Sequence, residues 1–275
     1  MSGILYVVGT PIGNLGDFSP RAVETLESVD FIAAEDTRVT IKLLNHYGIK
    51  KSMISYFEHN KLQRGEVICN KILSGENCAI VTDAGMPAIS DPGEELVRQC
   101  KEKGIKVRSV PGPSAVITAL SISGLKTGRF TFEGFLSMNK KSRREHLEEI
   151  KNEKRTMVFY EAPHKLLNTL KDLYQNLGDR EISIVRELTK VYEEVINTTL
   201  SKAYEQCLEK PLKGEIVLII SGATKEEKEE FTLEQAVEIA KDNINSGMSA
   251  TLACKDAAKI TGIKKGDIYK VVSQN

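Results

Sequence analysis

The chain has 275 residues, and at roughly 150 residues per domain that length allows one large domain or two smaller ones. Hydrophobic residues make up 41% and charged residues 28%, the balance of a soluble globular protein with a substantial core. Lys plus Arg equals Asp plus Glu at 38 each, which excludes a globally basic nucleic-acid coat and an acidic solvating tail while leaving local patches open. Five scattered cysteines, odd in number and in no CxxC pair, argue against a disulfide framework or zinc finger and for a reducing, cytoplasmic setting. No apolar run approaches the roughly 18 residues of a membrane span, and a first strand at Ile4 leaves no room for a signal peptide.

Strands are expected at Ile4 to Val8, Phe31 to Ala34, Cys78 to Val81 and Ile105 to Val110. Helix-length segments fall between and after them, at Arg21 to Ser28, Glu66 to Leu73, Glu94 to Lys103 and Ser114 to Ser123. That alternation implies βα units and a mainly parallel sheet. Further strands are expected at Phe130 to Gly134, Thr156 to Tyr160, Ile182 to Val185, Val191 to Thr198 and Ile216 to Ile220. The third and fourth of these follow each other with no helix between, which suggests antiparallel pairing and a second, mixed sheet. The Pro-Gly-Pro turn at 111–113 marks a boundary, so the expected domains are an α/β unit over 1–113, a second over 114–222 and a helical tail over 223–275. Thr224 to Glu230 is highly charged and reads as a linker or solvated helix start. Helical patterns then cover Leu233 to Ile244, Ala250 to Ile260 and Lys265 to Val272, with a glycine turn at Thr261-Gly262-Ile263. This end is either a helix-turn-helix or a plain helical cap.

Chemistry is expected just past the strands, because ligands of open α/β sheets bind at the carboxyl ends of strands. The first loop, GTPIGNLGD over 9–17, lacks the GxGxxG arrangement of a dinucleotide fold, and Ser19-Pro20 is the better helix start. The second strand ends in AAEDTR, whose acids can bind ribose hydroxyls or serve as a general base. TDAGMPAISDPG over 82–93 is the strongest local signal. It holds two Asp, two Gly and two Pro, a stiff loop rich in backbone donors and acceptors. VPGPSA follows the strand ending at Val110, and Glu161 and Glu187 stand just past later strands, as ligand partners or solvated strand ends. Four dispersed histidines suggest no metal site, and His59 is the only one in a loop-like polar cluster.

The order GTPIGNLGD, AAEDTR, TDAGMPAISDPG, VPGPSA, FYEAPHK and RELTK resembles the tetrapyrrole methylase superfamily, and most closely its branch that methylates a cytidine ribose 2′-oxygen in 16S rRNA. The resemblance spans essentially the whole chain, including the GIKKGDIYK tail. Corrin and sirohaem methylases usually carry a GPGD-like first loop, from which GTPIGN departs. The resemblance implies a two-domain fold, S-adenosylmethionine in the cleft, a homodimer, and 16S rRNA or the 30S subunit as partner. It carries cofactor contacts to Pro11, to Asp83, Ala84, Gly85 and Ile89, to Ser114 and Ala115, to Glu161 and Ala162, and to Leu188. The family's acid after the second strand aligns with Asp36, the first candidate for a catalytic base, with His59 second. For RNA, phosphate contacts require cations, and the candidates are Lys140, Lys141, Arg143 and Arg144 together with the tail's Lys264 and Lys265. Two other functions compete: methylation of a corrinoid precursor, and a nucleic-acid-binding regulator that transfers no methyl group.

Overall fold

The computed structural model describes residues 2–223 and 231–273. The charged run at Thr224 to Glu230 therefore lies outside the described residues. The chain divides into two compact units, Met1–Ala223 and Thr224–Asn275.

The first unit holds two five-stranded sheets. Strands β1 (Ile4–Val8), β2 (Phe31–Ala34), β3 (Ser52–Ser55), β4 (Cys78–Val81) and β5 (Lys106–Val110) form a wholly parallel sheet in the order β3-β2-β4-β1-β5. Helices α1 (Pro20–Ser28), α2 (Thr37–His46), α3 (Lys61–Leu73) and α4 (Glu94–Glu102) connect these strands. Alternation along each strand feeds opposite faces of the sheet, as a period of two requires. Leu5, Phe31, Ala33, Cys78 and Ile80 join Ile68 and Cys69 of α3 and Leu96 of α4 on one face. Val8, Ile32, Ala34, Ala79 and Val81 join Leu26 of α1 and Leu44 of α2 on the other. Burial on both faces explains why β2 and β4 read as unbroken apolar runs. The α1 start is as expected: Ser19 caps the helix by accepting from the Ala22 amide, and Pro20 takes the first position.

The chain crosses the Pro-Gly-Pro turn into α5 (Ala115–Ile122) and then builds the second sheet. Its strands are β6 (Phe130–Gly134), β7 (Thr156–Glu161), β8 (Glu181–Arg186), β9 (Glu194–Thr199) and β10 (Ile216–Ile220), in the order β6-β7-β10-β8-β9. Only β6 and β7 are parallel; the β7–β10, β10–β8 and β8–β9 pairs are antiparallel. Helices α6 (Lys140–Glu149), α7 (Leu166–Leu177) and α8 (Leu200–Glu209) supply Leu147, Leu170, Leu173 and Ala203 to the core on one face. The other face is covered by Val116, Ala119 and Leu120 of α5, and by Ile12 and Leu188 from two loops.

Two local expectations shift. The short polar edge strand β3 has no run of β-formers to announce it. The strand expected from Val191 starts only at Glu194, because residues 187–193 are taken up by a turn in which the Lys190 amide donates to the Glu187 carbonyl and the Glu193 amide to the Lys190 carbonyl.

The second unit comprises α9 (Leu233–Asn245), α10 (Ala250–Thr261) and α11 (Lys265–Val272) around Ala236, Val237, Ala240, Cys254, Ala257 and Ile268. Thr232 and Gln235 form a reciprocal capping box on α9. Gly262, at φ 75°, ends α10 in the left-handed conformation that glycine adopts without strain. A short turn at 262–264 joins α10 to α11. Among the described residues no helix is long and apolar enough to cross a membrane.

Candidate active site

The loop after β1 ties the first unit together at the carboxyl ends of its parallel strands. Thr10 and Gly85 exchange backbone hydrogen bonds of 2.9 and 3.1 Å, and the buried Thr10 hydroxyl donates to the Thr82 carbonyl at 3.1 Å. Gly9 and Gly112 cross so closely that a Cβ on Gly112 would lie 2.8 Å from the Gly9 Cα and carbonyl carbon. Gly13 approaches the loop after β8, where a Cβ would meet the Thr189 hydroxyl at 2.7 Å and the Leu188 carbonyl oxygen at 2.9 Å. These approaches join the 9–17, 82–93, 111–115 and 187–190 loops, the segments that carry most of the chain's unusual residues.

Between the two sheets, behind these loops, lies a cavity of about 430 Å³, a size suited to a small organic ligand, for which pockets of about 300–1,000 Å³ are usual. Ala84, Gly85 and Ile89 line it from the loop after β4, Ser114 and Ala115 from the start of α5. Glu161 and Ala162 line it from the end of β7, and Leu188 from the loop after β8. Pro11 and Asp83 stand beside lining residues, Ile12 and Ala84, without lining the cavity themselves. Four described non-glycine residues have φ in the left-handed region: Ala88 at 69°, Ser90 at 64°, Glu187 at 52° and Thr189 at 63°. All four belong to two of the loops around the cavity. Such conformations cost about 1–3 kcal/mol each and concentrate at functional sites.

The cavity's polar side chains come from both sheets. Glu161 is 5% exposed and accepts from the Ala162 amide at 2.8 Å and from the Thr169 hydroxyl. A group of acids stands at the carboxyl ends of β2 and β4 on the first sheet. The Asp36 amide donates to the Asp83 carboxylate at 3.2 Å and the Asp83 amide to the Glu35 carboxylate at 3.3 Å, which stitches the ends of β2 and β4 together. Burial raises the pKa values of Glu35 and Asp83, with repulsion from Asp83 and Asp36 adding for Glu35 and repulsion from Asp36 adding for Asp83. Asp91 lines the cavity, and burial, with the nearby Glu35 and Asp83 charges, pushes its carboxyl up to about 6. Among the described residues no hydrogen bond or ion pair occupies the Asp91 side chain.

The two catalytic candidates from sequence stand elsewhere. Asp36 is the N-cap of α2. It accepts from the Arg38 amide at 2.8 Å and pairs with the Arg38 guanidinium at 2.6 Å. Those Arg38 hydrogen bonds pull its carboxyl down to about 2, far below the pKa that makes an effective base near neutral pH. His59 is exposed in the loop before α3, edge-on to Phe57, and does not line the cavity. Glu187 also stands apart. Its carboxylate accepts from the Glu215 amide at 2.9 Å and pairs with Lys190 at 3.1 Å, so it closes the turn onto β10, and the Glu215 amide holds its pKa low.

The basic run on α6 divides. Lys140, Lys141 and Arg144 are exposed, and Lys141 has only a loose pair with Glu145 at 3.9 Å. Arg143 turns inward with its side chain 17% exposed and bonds Asp172 at 2.7 Å and Thr169 at 2.9 Å, both on α7. It is not a free surface cation, because its Nε and one Nη2 hydrogen are committed to α7 and its charge is paired with Asp172. In the helical unit Lys264 is the N-cap residue of α11, Lys265 follows it, and both are exposed.

Asp91 lines the cavity from within the 82–93 loop, and Ile12, Phe135, Tyr160 and the 214–217 segment line it too, none of them among the sequence candidates. The signal for Asp91 was there in the second Asp of a loop with no Lys, Arg or Glu. Gly214 carried none beyond being a glycine, since its φ of 92° shows only in the fold.

The chain is 46% identical over 270 residues to "Ribosomal RNA small subunit methyltransferase I" of Synechocystis sp., covering 98% of this chain and 97% of the relative. It is 48% identical over 275 residues to the protein of the same name from Halalkalibacterium halodurans, covering 99% and 95%. The crystal structure of uroporphyrin-III-C-methyltransferase from Thermus thermophilus shares the fold with a TM-score of 0.57 at 16% identity, over 80% of this chain and 94% of that one. Residues 4–204 match the Tetrapyrrole (Corrin/Porphyrin) Methylases, and the chain belongs to that family.

Proposed function

We propose that this protein transfers a methyl group from S-adenosylmethionine to the ribose 2′-oxygen of a cytidine in the 16S rRNA of the small ribosomal subunit. The observation that carries the reading is the convergence of Ala84, Gly85, Ile89, Ser114, Ala115, Glu161, Ala162 and Leu188 on one cavity. Relatives of nearly equal length named as small-subunit rRNA methyltransferases support the RNA branch.

The residues around the cavity suit this cofactor. Ile12, Ile89 and Leu188 offer apolar surface for a flat base, Glu161 offers carboxylate acceptors for hydroxyl or amino groups, and the 82–93 loop offers main-chain polar groups for an amino-acid end. When bound, S-adenosylmethionine supplies a methyl group already made electrophilic by its sulfonium. The chain's part is to hold the attacking hydroxyl within near-attack distance, the largest contribution to the rate. It must also receive the hydroxyl proton as the C–O bond forms and the C–S bond breaks. Asp91 is the acceptor we assign: it lines the cavity, its side chain is unengaged among the described residues, and its pKa of about 6 leaves it mostly ionised at neutral pH. A base so matched adds about 10²–10⁴-fold.

RNA docking falls to the exposed cations of α6, Lys140, Lys141 and Arg144, and to Lys264 and Lys265 on the helical unit. The active species is a homodimer. The reading is tested by incubating the protein and labelled S-adenosylmethionine with 16S rRNA, 30S particles and a corrinoid precursor. Label in RNA that blocks alkaline cleavage beside one cytidine supports it, and label only in the corrinoid overturns it.

A further inference from the structure

We infer that Arg143 is a positioning residue of the cofactor pocket, acting on Glu161 through the Thr169 hydroxyl, and not an RNA-contacting cation. The inference rests on the cofactor reading above. It follows from which atoms can donate. A guanidinium has only N–H donors, and a threonine hydroxyl has one hydrogen and two lone pairs. Arg143 Nη2 donates to Thr169 Oγ1 at 2.9 Å, which takes one of those lone pairs. The single hydroxyl hydrogen is then left to donate to Glu161 Oε2, the bond that the structure contains. The other carboxylate oxygen, Oε1, accepts from the Ala162 amide at 2.8 Å. Both oxygens of Glu161 are thereby fixed as acceptors, and the carboxylate plane is held at the cavity wall.

Arg143 is itself held from behind. Its Nε donates to Asp172 Oδ2 at 2.7 Å, and Asp172 stands three residues after Thr169 on the same face of α7. Thr169 is 1% exposed and Glu161 5%, so water does not compete for these bonds. On α6, His146 lies one turn further on and meets Glu133 of β6 at 3.0 Å, a second anchor for the helix. A buried donor chain of this kind restricts Glu161 to one rotamer and one role. It presents acceptors, never a donor, to the ligand's hydroxyl or amino groups. Lysine at position 143 would supply a point charge without the fork that reaches Asp172 and Thr169 together.

The test measures S-adenosylmethionine binding to the full chain by calorimetry, well below each variant's unfolding temperature. The variants are Arg143→Met, Arg143→Lys, Thr169→Val, Thr169→Ser and the Arg143→Met/Thr169→Val double variant. Loss of a buried, charge-assisted bond predicts about tenfold weaker binding for Arg143→Met and for Thr169→Val. The double variant should be little worse than either single one, because both break the same chain. Thr169→Ser, which keeps the hydroxyl, should bind like the unaltered chain. In turnover assays Arg143→Met should raise KM for the cofactor about tenfold and leave kcat nearly unchanged. Its RNA affinity should keep the unaltered salt slope, whereas Lys140→Glu should flatten it. Should Arg143→Met fail to fold, Arg143→Lys and Thr169→Val carry the same comparison. Unchanged cofactor affinity in Arg143→Met and Thr169→Val, fully additive losses, or a flattened salt slope in Arg143→Met would each overturn the proposal. An unaltered chain that binds no S-adenosylmethionine would overturn the cofactor reading, and this inference with it.

Discussion

Replacing Gly112 by alanine tests whether the crossing of the 9–17 and 111–115 loops holds the site together. A Cβ there would sit 2.8 Å from the Gly9 Cα and carbonyl carbon and 2.9 Å from its carbonyl oxygen. Ordinary contact begins at 3.4 Å, so the two segments must part by about 0.6 Å. All three opposing atoms are backbone and cannot swing aside as a side chain would. Neither glycine has φ in the left-handed region, so the penalty is steric and not conformational. Overpacking of this kind costs about 1–3 kcal/mol, from which the stiffer unfolded chain of alanine returns up to about 1. The net loss of about 1–2 kcal/mol lowers Tm by about 2–8 °C for a unit of this size. The same displacement moves Ser114 and Ala115 at the cavity wall, so cofactor affinity should fall with it. Gly128→Ala is the control, since a Cβ there meets nothing within 4 Å. The assay is thermal unfolding of both variants together with S-adenosylmethionine calorimetry. A Gly112→Ala protein that matches Gly128→Ala in both would refute the argument that this close approach positions the site.

Four further outcomes follow from the same structure. If Asp91 takes the hydroxyl proton, it must be ionised, so log kcat climbs with unit slope below about pH 6 and levels above it; in Asp91→Asn that limb disappears and kcat drops about 10²–10⁴-fold, and a retained limb would return the base to another group. Because its folded pKa lies above the ordinary 3.8, ionising Asp91 also costs stability as pH rises from about 4 to about 6, and the Asn variant should lose that part of the pH dependence of Tm. Charge reversal at Lys140, Lys141 and Arg144 should weaken RNA binding and lower the salt slope by about 0.7 for each lost phosphate contact, and an unchanged slope would remove that face from the interface. Leu218, fully buried on β10 between β7 and β8, should cost about 2–5 kcal/mol on replacement by alanine, read by denaturant unfolding.

The parallel sheet was legible because its central strands are buried on both faces and so spell unbroken apolar runs such as CAIV at 78–81, while the short edge strand SMIS at 52–55 has no such pressure on its composition. The turn at 187–193 was misjudged for a related reason. Val191 and Tyr192 look like strand residues, yet they are among the most exposed large side chains of the protein, and the positive φ values at Glu187 and Thr189 leave no trace in residue type. In the site, the loop after β4 could be read from its Asp, Gly and Pro content. The division of labour among acids could not. Asp36 and Asp91 look alike in sequence, and only the fold turns one toward Arg38 and the other into the cavity. The four clustered basic residues at 140–144 likewise hide one that points inward, since helix phase relative to α7 decides which of them meets Asp172.

The most direct test of the account is methyl transfer from labelled S-adenosylmethionine to 16S rRNA, naked and in 30S particles, with the modified nucleotide located by resistance to alkaline cleavage. The account predicts label at a single cytidine, on its ribose, and none in a corrinoid precursor offered in parallel. Label confined to the corrinoid, or RNA that stays cleavable at every position despite cofactor binding, would contradict it.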